Sequence, residues 1–414
     1  MTDDREKSSV AALLAARASY SRLVAYLAAR SGDIAAAEDA LCDAFRAALE
    51  SWPARGIPNK PEAWLLTTAR RRLIDETRHK IVQDQASAIL RLLTEEAAEQ
   101  ADAAADFPDE RLKLLFISAH PAIDPSARTP LMLQVVLGLD VARIASAFLV
   151  SPSAMSQRLV RAKAKIREAR IAFEIPERRE LPERLDAVLD AIYAAYGTGW
   201  EDAAGADPRR RGLADEAIWL ARLAVHLLPE DPEAKGLLAL MLYCEARRQA
   251  RRTKTGAYVP LSDQNVDLWS KPMLDEARRS LADAVVLQRL GRYQIEAAIQ
   301  SMHTVRLVAG QVNWATIVQL YDTLIKLSPT VGAFTGRAAA LAEMGDIEAG
   351  LLALDRIESD RVLSYQPYWA VRSDLLAKLK RQDEADAAYA KAIGLSEDQS
   401  ARLFLQGKRA ALRT

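Results

Sequence analysis

Apolar residues recur every three or four positions along almost the whole chain, and this spacing is the strongest constraint on the fold. A turn of 3.6 residues places such residues on one side of a helix, whereas a half-buried strand needs strict alternation. Only 17 glycines and 17 prolines interrupt the pattern in 414 residues. The sequence therefore predicts an all-α fold, and because the chain exceeds one ordinary core, we expect three domains.

The bulk composition suggests where the protein works. Lys plus Arg and Asp plus Glu both total 56, so the net charge is zero and a charged surface can arise only from uneven distribution. The chain has no run of 18 or more apolar residues, and its first residues, MTDDREKSS, contain no apolar signal core. We therefore expect a cytoplasmic protein that does not enter a membrane.

Residues that usually carry chemistry are sparse. Cys42 and Cys244 each lie in a helical pattern, which favours two buried free thiols over a disulfide or a metal site. The sequence contains no Gly-rich phosphate loop, no recognisable set of Ser, His and Asp, and no spaced cluster of metal ligands. We therefore expect no enzymatic activity, no cofactor and no metal.

Charge and proline divide the chain into segments. Residues 10–80 and 111–170 are two predicted helical units, separated by an acidic linker at 81–110 in which Arg91 is the single basic residue. Prolines at 176 and 182 mark the next boundary, after which 183–414 predicts a series of helical hairpins. The linker is either a disordered spacer or an acidic segment with a binding role, and both interpretations are compatible.

The last domain contains an internal repeat. The residues Met344-Gly345-Asp346 are echoed by Lys380-Arg381-Gln382 at an offset of 36 residues. This is close to the period of tetratricopeptide hairpins, in which small residues let two helices approach closely. The pattern predicts a tetratricopeptide-like helical repeat, although two degenerate copies also occur in ordinary helical bundles.

The most specific segment runs from Leu139 to Glu168 and predicts a helix-turn-helix unit. Its second helix has a buried apolar stripe consisting of Met155, Leu159, Ala162 and Ile166. Its first helix and turn supply further core residues, namely Ile144, Ala145, Phe148 and Val150. The two helices should therefore pack as one compact unit.

The outward face of that second helix combines hydrogen-bonding groups with cations. Its centre contains Ser153, Ser156, Gln157, Val160 and Arg161, and its margins contain Arg158, Lys163, Lys165, Arg167 and Arg170. A helix that reads a DNA major groove needs this arrangement, since the centre of its face contacts base edges and its margins contact phosphates. The alternative is an ordinary solvated basic face.

A second mixed surface lies on the helix predicted from Pro61 to Lys80, whose buried stripe is Leu66, Ala69 and Leu73. Its outer face and borders combine aromatic, hydroxyl and cationic groups, and the residues are Trp64, Thr67, Thr68, Arg70, Arg71, Asp75 and Arg78. Such a surface suits separated DNA strands, where bases stack and phosphates need neutralising. Alternatively, Trp64 caps a helical core.

An earlier amphipathic helix has the sequence DIAAAEDALCDAFRAALE. Its inward residues are Ile34, Ala37, Leu41, Ala44 and Ala48. Its outward face carries Asp39, Asp43, Arg46 and Glu50, which is either a protein-binding surface or a solvated one.

These segments together resemble the sigma factors of the extracytoplasmic-function group. The helix-turn-helix resembles region 4, because Arg158, Arg161 and Ala162 match an S-R-x-x-R-A pattern, with Gln157 in place of the Ser. The 61–80 helix resembles region 2.4, and its matching residues are Trp64, Leu65, Ala69, Arg70 and Asp75. Arg71 occupies the place of the usual Asn.

The resemblance implies roles for particular residues. Promoter minus-35 DNA would be contacted by Ser153, Ser156, Gln157, Arg158, Arg161 and Lys165. Minus-10 DNA would be contacted by Trp52, Asn59, Trp64, Thr67, Thr68, Arg70, Arg71 and Arg78. Trp52 and Asn59 enter this set because the loop ESWPARGIPNKPE resembles region 2.3, which captures a flipped base.

The resemblance also implies partners. RNA polymerase core would bind Asp39, Asp43 and Arg46 through its β′ clamp helices, and region 4 through its β flap. The segments at 116–140 and 213–251 resemble the subgroup with a tetratricopeptide-like C-terminal extension, which would bind a regulatory protein or a ligand. The main alternative is a helix-turn-helix regulator with a ligand-binding or protein-binding repeat domain, and a further alternative is a peptide-binding scaffold.

Overall fold

The computed structural model describes residues 19–81, 110–148, 150–177, 180–201, 213–305 and 312–413. These residues form helices joined by short turns, and the one β interaction among them is an isolated bridge between Arg252 and Tyr258. The all-α prediction is therefore confirmed. Within the described helices, none combines the length and the apolar character needed to cross a membrane.

The chain divides into two compact units, Met1–Ala195 and Tyr196–Thr414. The division falls inside a helix at Leu181–Glu201, slightly after the boundary predicted at 183. The predicted acidic linker, apart from Ile81 and Glu110, lies outside the described residues. The separation of 10–80 from 111–170 remains a prediction, because both segments belong to the first unit.

The helices of the first unit are numbered in chain order. They are α1 (described over 19–31), α2 (Ile34–Arg55), α3 (Pro61–Ile81), α4 (Arg111–Ser118), α5 (Pro125–Val135), α6 (Val141–Ala147), α7 (Pro152–Glu168) and α8 (Leu181–Glu201), which extends past the division.

The second unit contains successive helical hairpins and short 3-10 turns. Its helices are α9 (Leu213–Leu227), α10 (Pro232–Glu245), α11 (Lys271–Val286), α12 (Arg292–Thr304), α13 (Trp314–Leu327), α14 (Val331–Glu343), α15 (Ile347–Asp355), α16 (Ser359–Val362), α17 (Gln366–Lys378), α18 (Gln382–Leu395) and α19 (Gln399–Ala410). The 3-10 turns are Arg248–Arg251, Leu261–Asp263, Val266–Leu268 and Ala411–Arg413.

Side-chain caps explain where many helices begin. The side chains of Asp33, Ser151 and Asp231 accept hydrogen bonds from backbone N–H groups of the first turns of α2, α7 and α10. Each such cap satisfies a donor that has no partner within the helix, and its loss typically costs about 1 kcal/mol. A proline then occupies the first position of α7 and of α10, where its missing N–H costs nothing.

Close approach of helices in the second unit depends on glycine. A Cβ added at Gly236 would lie 2.7 Å from the backbone nitrogen of Gln294, so α10 and α12 could not pack as they do. A Cβ added at Gly350 would lie 2.7 Å from the Ala338 carbonyl oxygen, with the same consequence for α14 and α15. Small residues thus permit close packing of helices in this unit.

The repeat has a different register from the one predicted by the letters. The turn between α14 and α15 contains Gly345 at φ 100°, and the turn between α17 and α18 contains Lys380 at φ 60°. These two left-handed residues are equivalent, which makes the offset 35 residues instead of 36. The letter-based match failed because a lysine in a left-handed turn does not look like the glycine that it replaces.

Two burial predictions are wrong. Cys42 is exposed on the outside of α2, whereas burial raises the pKa of the Cys244 thiol as expected of a buried cysteine, and both cysteines are free. Phe148 is 36% exposed, so it contributes less to the helix-turn-helix core than Ile144 and Ala145, which are 1% and 0% exposed. Phe148 directly follows α6, where a period of 3.6 residues stops predicting the side-chain direction.

Candidate nucleic-acid interface

The helix-turn-helix prediction is confirmed by α6 and α7 in the first unit. The buried residues of α7 are the four predicted from the spacing, and all are at most 5% exposed: Met155, Leu159, Ala162 and Ile166. Asp140 accepts a hydrogen bond from the Arg143 N–H at 3.0 Å near the start of α6. Burying one stripe fixes which face of α7 points outward.

The outward face of α7 is open to solvent. Ser153, Ser156, Gln157, Arg161 and Lys165 are exposed. Val160 lies among them with 64% of its surface exposed. This face can therefore offer hydroxyl, amide and guanidinium groups to base edges, and one apolar group to a thymine methyl.

The arginines of this face have different environments. Arg161 is exposed, and its Nε donates to the Gln157 carbonyl oxygen on the same helix at 3.3 Å. Arg158 is half-buried, and its Nη1 donates to the Ser126 carbonyl oxygen of α5 at 3.3 Å. Arg158 is therefore held toward α5 by its partner, whereas Arg161 lies along the outward surface.

A pocket of about 420 Å³ lies between α7 and the start of α5. Its cationic wall consists of Arg158, Arg161 and Lys165, and the opposite wall is formed by residues 122–127. Hydrogen bonds from the hydroxyl and N–H of Ser126 lower the pKa of Asp124 in that wall. With three cations and one carboxylate, the pocket is a net positive concavity suited to a phosphate. The sequence did not predict the 122–127 wall, because no local pattern connects it to α7.

The second predicted surface lies on α3. Leu66 and Ala69 are buried and Leu73 is half-buried, as the stripe predicted, whereas the burial of Leu65 was not predicted. Thr67 and Arg71 are exposed, Trp64, Thr68 and Arg70 are half-buried, and Asn59 is exposed in the preceding loop. Arg78 lies on the helix, but its side chain is outside the described residues.

The predicted role of Trp52 in contacting a base conflicts with its position. Its side chain is only 2% exposed, and its ring meets the Trp64 ring edge to face at a centroid distance of 5.5 Å. Edge-to-face pairing of this kind stabilises by about 0.5–1.5 kcal/mol beyond the burial itself. In this conformation Trp52 is a core residue that supports Trp64, and it is not available to DNA.

Arg70 also has a structural contact. Its guanidinium donates to the Tyr26 hydroxyl of α1, and its Cζ lies 4.9 Å from the centre of the Tyr26 ring. Arg30 lies against the same ring at 3.7 Å. Part of the positive charge predicted for the α3 surface is therefore directed toward α1.

The acidic face of α2 has the predicted orientation. All five inward residues are at most 1% exposed, and they are Ile34, Ala37, Leu41, Ala44 and Ala48. Asp39 is exposed, and Asp43 forms an ion pair with Arg46 at 2.9 Å. An exposed pair one turn apart is worth only a few tenths of a kcal/mol, so these groups remain available to a partner.

Two of the cations at the margin of α7 have partners on α2. Lys163 contacts the Glu38 carboxylate, and Arg167 Nη1 lies 3.4 Å from Asp33 Oδ2. The sequence predicts both cations as free margins of the outward face. Their partners are more than 100 residues away along the chain, so no local pattern indicates the pairing.

Comparison with known proteins identifies the first unit's N-terminal part. Residues 16–80 match the family model described as "Sigma-70 region 2", and residues 184–285 match a family of unknown function (DUF6596). "Uncharacterized protein R00370" of Rhizobium meliloti (strain 1021) is 37% identical over 374 residues, which is 89% of this chain and 88% of that protein. No solved structure matches the chain. The region 2 match covers α2 and α3, the helices that carry the acidic face and the tryptophan pair, and the chain therefore contains a sigma-70 region 2 domain, which supports a sigma factor of the sigma-70 family, a class that interacts with RNA polymerase core and promoter DNA.

Proposed function

We propose that the protein is a cytoplasmic sigma factor of the extracytoplasmic-function group that reads two promoter elements and performs no chemistry of its own. The observation that carries this proposal is the outward face of α7, a hydrogen-bonding centre with cationic margins on a packed helix-turn-helix. It occurs in the same chain as a region 2 match. Two separate DNA-binding units are what a two-element promoter requires.

The minus-35 element would be read by α7. Base edges are within reach of the exposed Ser153, Ser156, Gln157 and Arg161. Arg158 and Lys165 line the pocket beside α5 and would hold a backbone phosphate there. The exposed Val160 would add one apolar contact, to a thymine methyl, beside these polar groups.

The minus-10 element would be read by the α3 surface and the loop before it. The exposed members of this set are Asn59, Thr67 and Arg71. Trp64 offers part of its ring for stacking on an unpaired base, with the buried Trp52 ring holding it in place. Arg78 belongs to the proposal from the sequence alone.

Polymerase core would bind the acidic face of α2 through its β′ clamp helices, and the helix-turn-helix through its β flap. Asp39, Asp43 and Arg46 form the α2 contact. Because this face is built from side chains that point away from a sealed apolar stripe, its charges can be changed without disturbing the helix packing.

The second unit would control this activity. Its hairpins with an offset of 35 residues support a tetratricopeptide-like extension, which exposes an extended surface for a regulatory protein or ligand. Most of the DUF6596 match, from residue 196 to 285, lies in this unit. We propose that it modulates transcription, either by restraining the promoter-binding helices or by assisting assembly with core.

Reconstitution tests the sigma assignment. The full-length protein added to purified core should bind it and direct transcription from specific promoters. The double variant Asp39→Lys and Asp43→Lys should lose core binding, whereas Asp383→Lys, an exposed acid on α18, should retain it. A wild-type protein that binds promoter DNA but never binds core would be a conventional helix-turn-helix regulator, and the proposal would fail.

A further inference from the structure

Two acidic side chains of α2 form ion pairs with the reading helix α7, and we call these pairs the α2–α7 clamp. Its members are Glu38 with Lys163, and Asp33 with Arg167. The first pair is well shielded, because only 12% of the Lys163 side chain and 16% of the Glu38 side chain are exposed. The second is more open, with 58% of the Arg167 side chain exposed. The shielded pair is screened less by salt and is therefore the stronger restraint.

The N-terminal helices α1 and α2 and the helix-turn-helix segment also approach each other at a second place. Gly138 follows α5 with φ 65°, and a Cβ built on it would lie 3.5 Å from Ser21 Oγ of α1. The segment leading into the helix-turn-helix therefore lies close to α1, while α7 contacts α2. Two contacts from different helices make the clamp part of a packed arrangement and not one chance meeting of long side chains.

Each side of the clamp belongs to a surface with another proposed use. Lys163 and Arg167 are margin cations of α7, which phosphates of bound DNA would require. Glu38 precedes Asp39 on α2, beside the face that core would bind. While the clamp is closed, the charges of these cations are neutralised from within the chain.

We propose that the α2–α7 clamp masks the free sigma factor. It withholds two phosphate-binding cations from promoter DNA, and it opens when polymerase core takes the acidic side of α2. The identity of the two competitors, DNA and core, rests on the proposed function. The closed contact itself is a property of the free chain, so the two ideas can fail separately.

Carbodiimide coupling tests the closed contact directly, since it joins an amine and a carboxylate only when they touch. Free full-length protein should give an amide-linked pair of peptides containing Lys163 and Glu38, detected by mass spectrometry. Adding core should abolish this product. Lys378 and Glu343, which lie 3.5 Å apart on α17 and α14, provide a control whose coupling should persist. Absence of the product in free protein would refute the clamp, and full yield in the core complex would refute its opening.

A charge-neutralising variant tests the masking. Asp33→Asn with Glu38→Gln removes both acids, and asparagine at the α2 cap can still accept the hydrogen bond from the Ala36 N–H. Binding of free protein to a minus-35 duplex should then fall more steeply with salt. The slope of log affinity against log salt should steepen by up to about 1.8, since each added phosphate contact contributes about 0.9.

The matched control removes two exposed acids of the second unit, by Glu348→Gln with Asp383→Asn, and should keep the wild-type slope. An unchanged slope in the clamp variant would overturn the masking. If no variant binds promoter DNA at any salt concentration, the proposed function fails, while the coupling experiment still decides whether the clamp exists.

Discussion

Glu233 and Gly291 form a contact between helices whose energetic value follows from the structure. The Glu233 carboxylate, on the first turn of α10, accepts hydrogen bonds from the backbone N–H groups of Tyr293 and Gln294 at 3.0 and 3.3 Å. It therefore caps α12 from another helix, and it also accepts from the Gln294 side chain at 3.2 Å. A Cβ at Gly291 would lie 2.1 Å from the Glu233 carboxyl carbon, so Gly291→Ala must displace this cap.

Losing the cap should cost about 1–3 kcal/mol, since it combines a helix cap with hydrogen bonds to a charged group. Because the chain has several domains, local opening of α12 is a better measure than global unfolding. Hydrogen exchange of the α12 amides should accelerate by about 5- to 150-fold in Gly291→Ala, at about 1.4 kcal/mol for each factor of ten.

Gly394→Ala is the matched control. An added Cβ there meets nothing within 4 Å, and the position lies inside α18, where alanine is favoured over glycine by about 0.5–1 kcal/mol. Exchange of α18 should therefore slow slightly or stay unchanged. If Gly291→Ala leaves α12 exchange at its wild-type rate, the Glu233 carboxylate does not stabilise α12.

Three further predictions concern function. Arg161→Ala should weaken specific promoter binding by about 1–3 kcal/mol in a fluorescence titration, whereas Arg356→Ala, which changes an exposed arginine of the second unit, should not. Equal losses of binding in both variants would remove Arg161 from the reading face. Trp52→Ala should accelerate hydrogen exchange of the α2 and α3 amides, because the cavity left beside Trp64 should cost about 3–5 kcal/mol of stability. A variant that stays stable but binds DNA poorly would instead restore Trp52 as a base contact. Ending the chain after Arg170 should change in vitro transcription, upward if the second unit inhibits and downward if it assists, and unchanged output would leave recruitment of an outside partner as its role.

The sequence predicted best those features that a helical period determines. The buried stripe of α7 was predictable because four apolar residues at three- and four-residue steps leave one orientation for Met155 and Ile166. Single residues outside a repeating pattern were predicted poorly. Trp52 was assigned to DNA and is buried, because its environment depends on the ring of Trp64 from another helix.

Contacts distant in sequence were invisible from the sequence alone. Lys163 has the same local pattern as any solvated lysine on a basic helix, and nothing near it indicates Glu38 as its partner. The pocket beside α5 was likewise missed, since residues 122–127 join α7 only in the folded chain. Local periodicity determines which side of a helix is buried, but the neighbours of the other side depend on tertiary packing.

The hydroxyl groups of Thr67 and Thr68 on α3 already donate hydrogen bonds within the helix. Thr67 Oγ1 donates to the Ala63 carbonyl oxygen, and Thr68 Oγ1 donates to the Trp64 carbonyl oxygen, both at 2.8 Å. Each hydroxyl can then offer only lone pairs to an incoming strand. It can accept from the exocyclic amino group of adenine, cytosine or guanine or from the ring N3–H of an unpaired thymine, but it cannot donate to a base carbonyl or a phosphate without leaving its helix carbonyl. The threonines would thus contact donors of the unpaired bases only, and carbonyl and anionic oxygens would be left to Arg71.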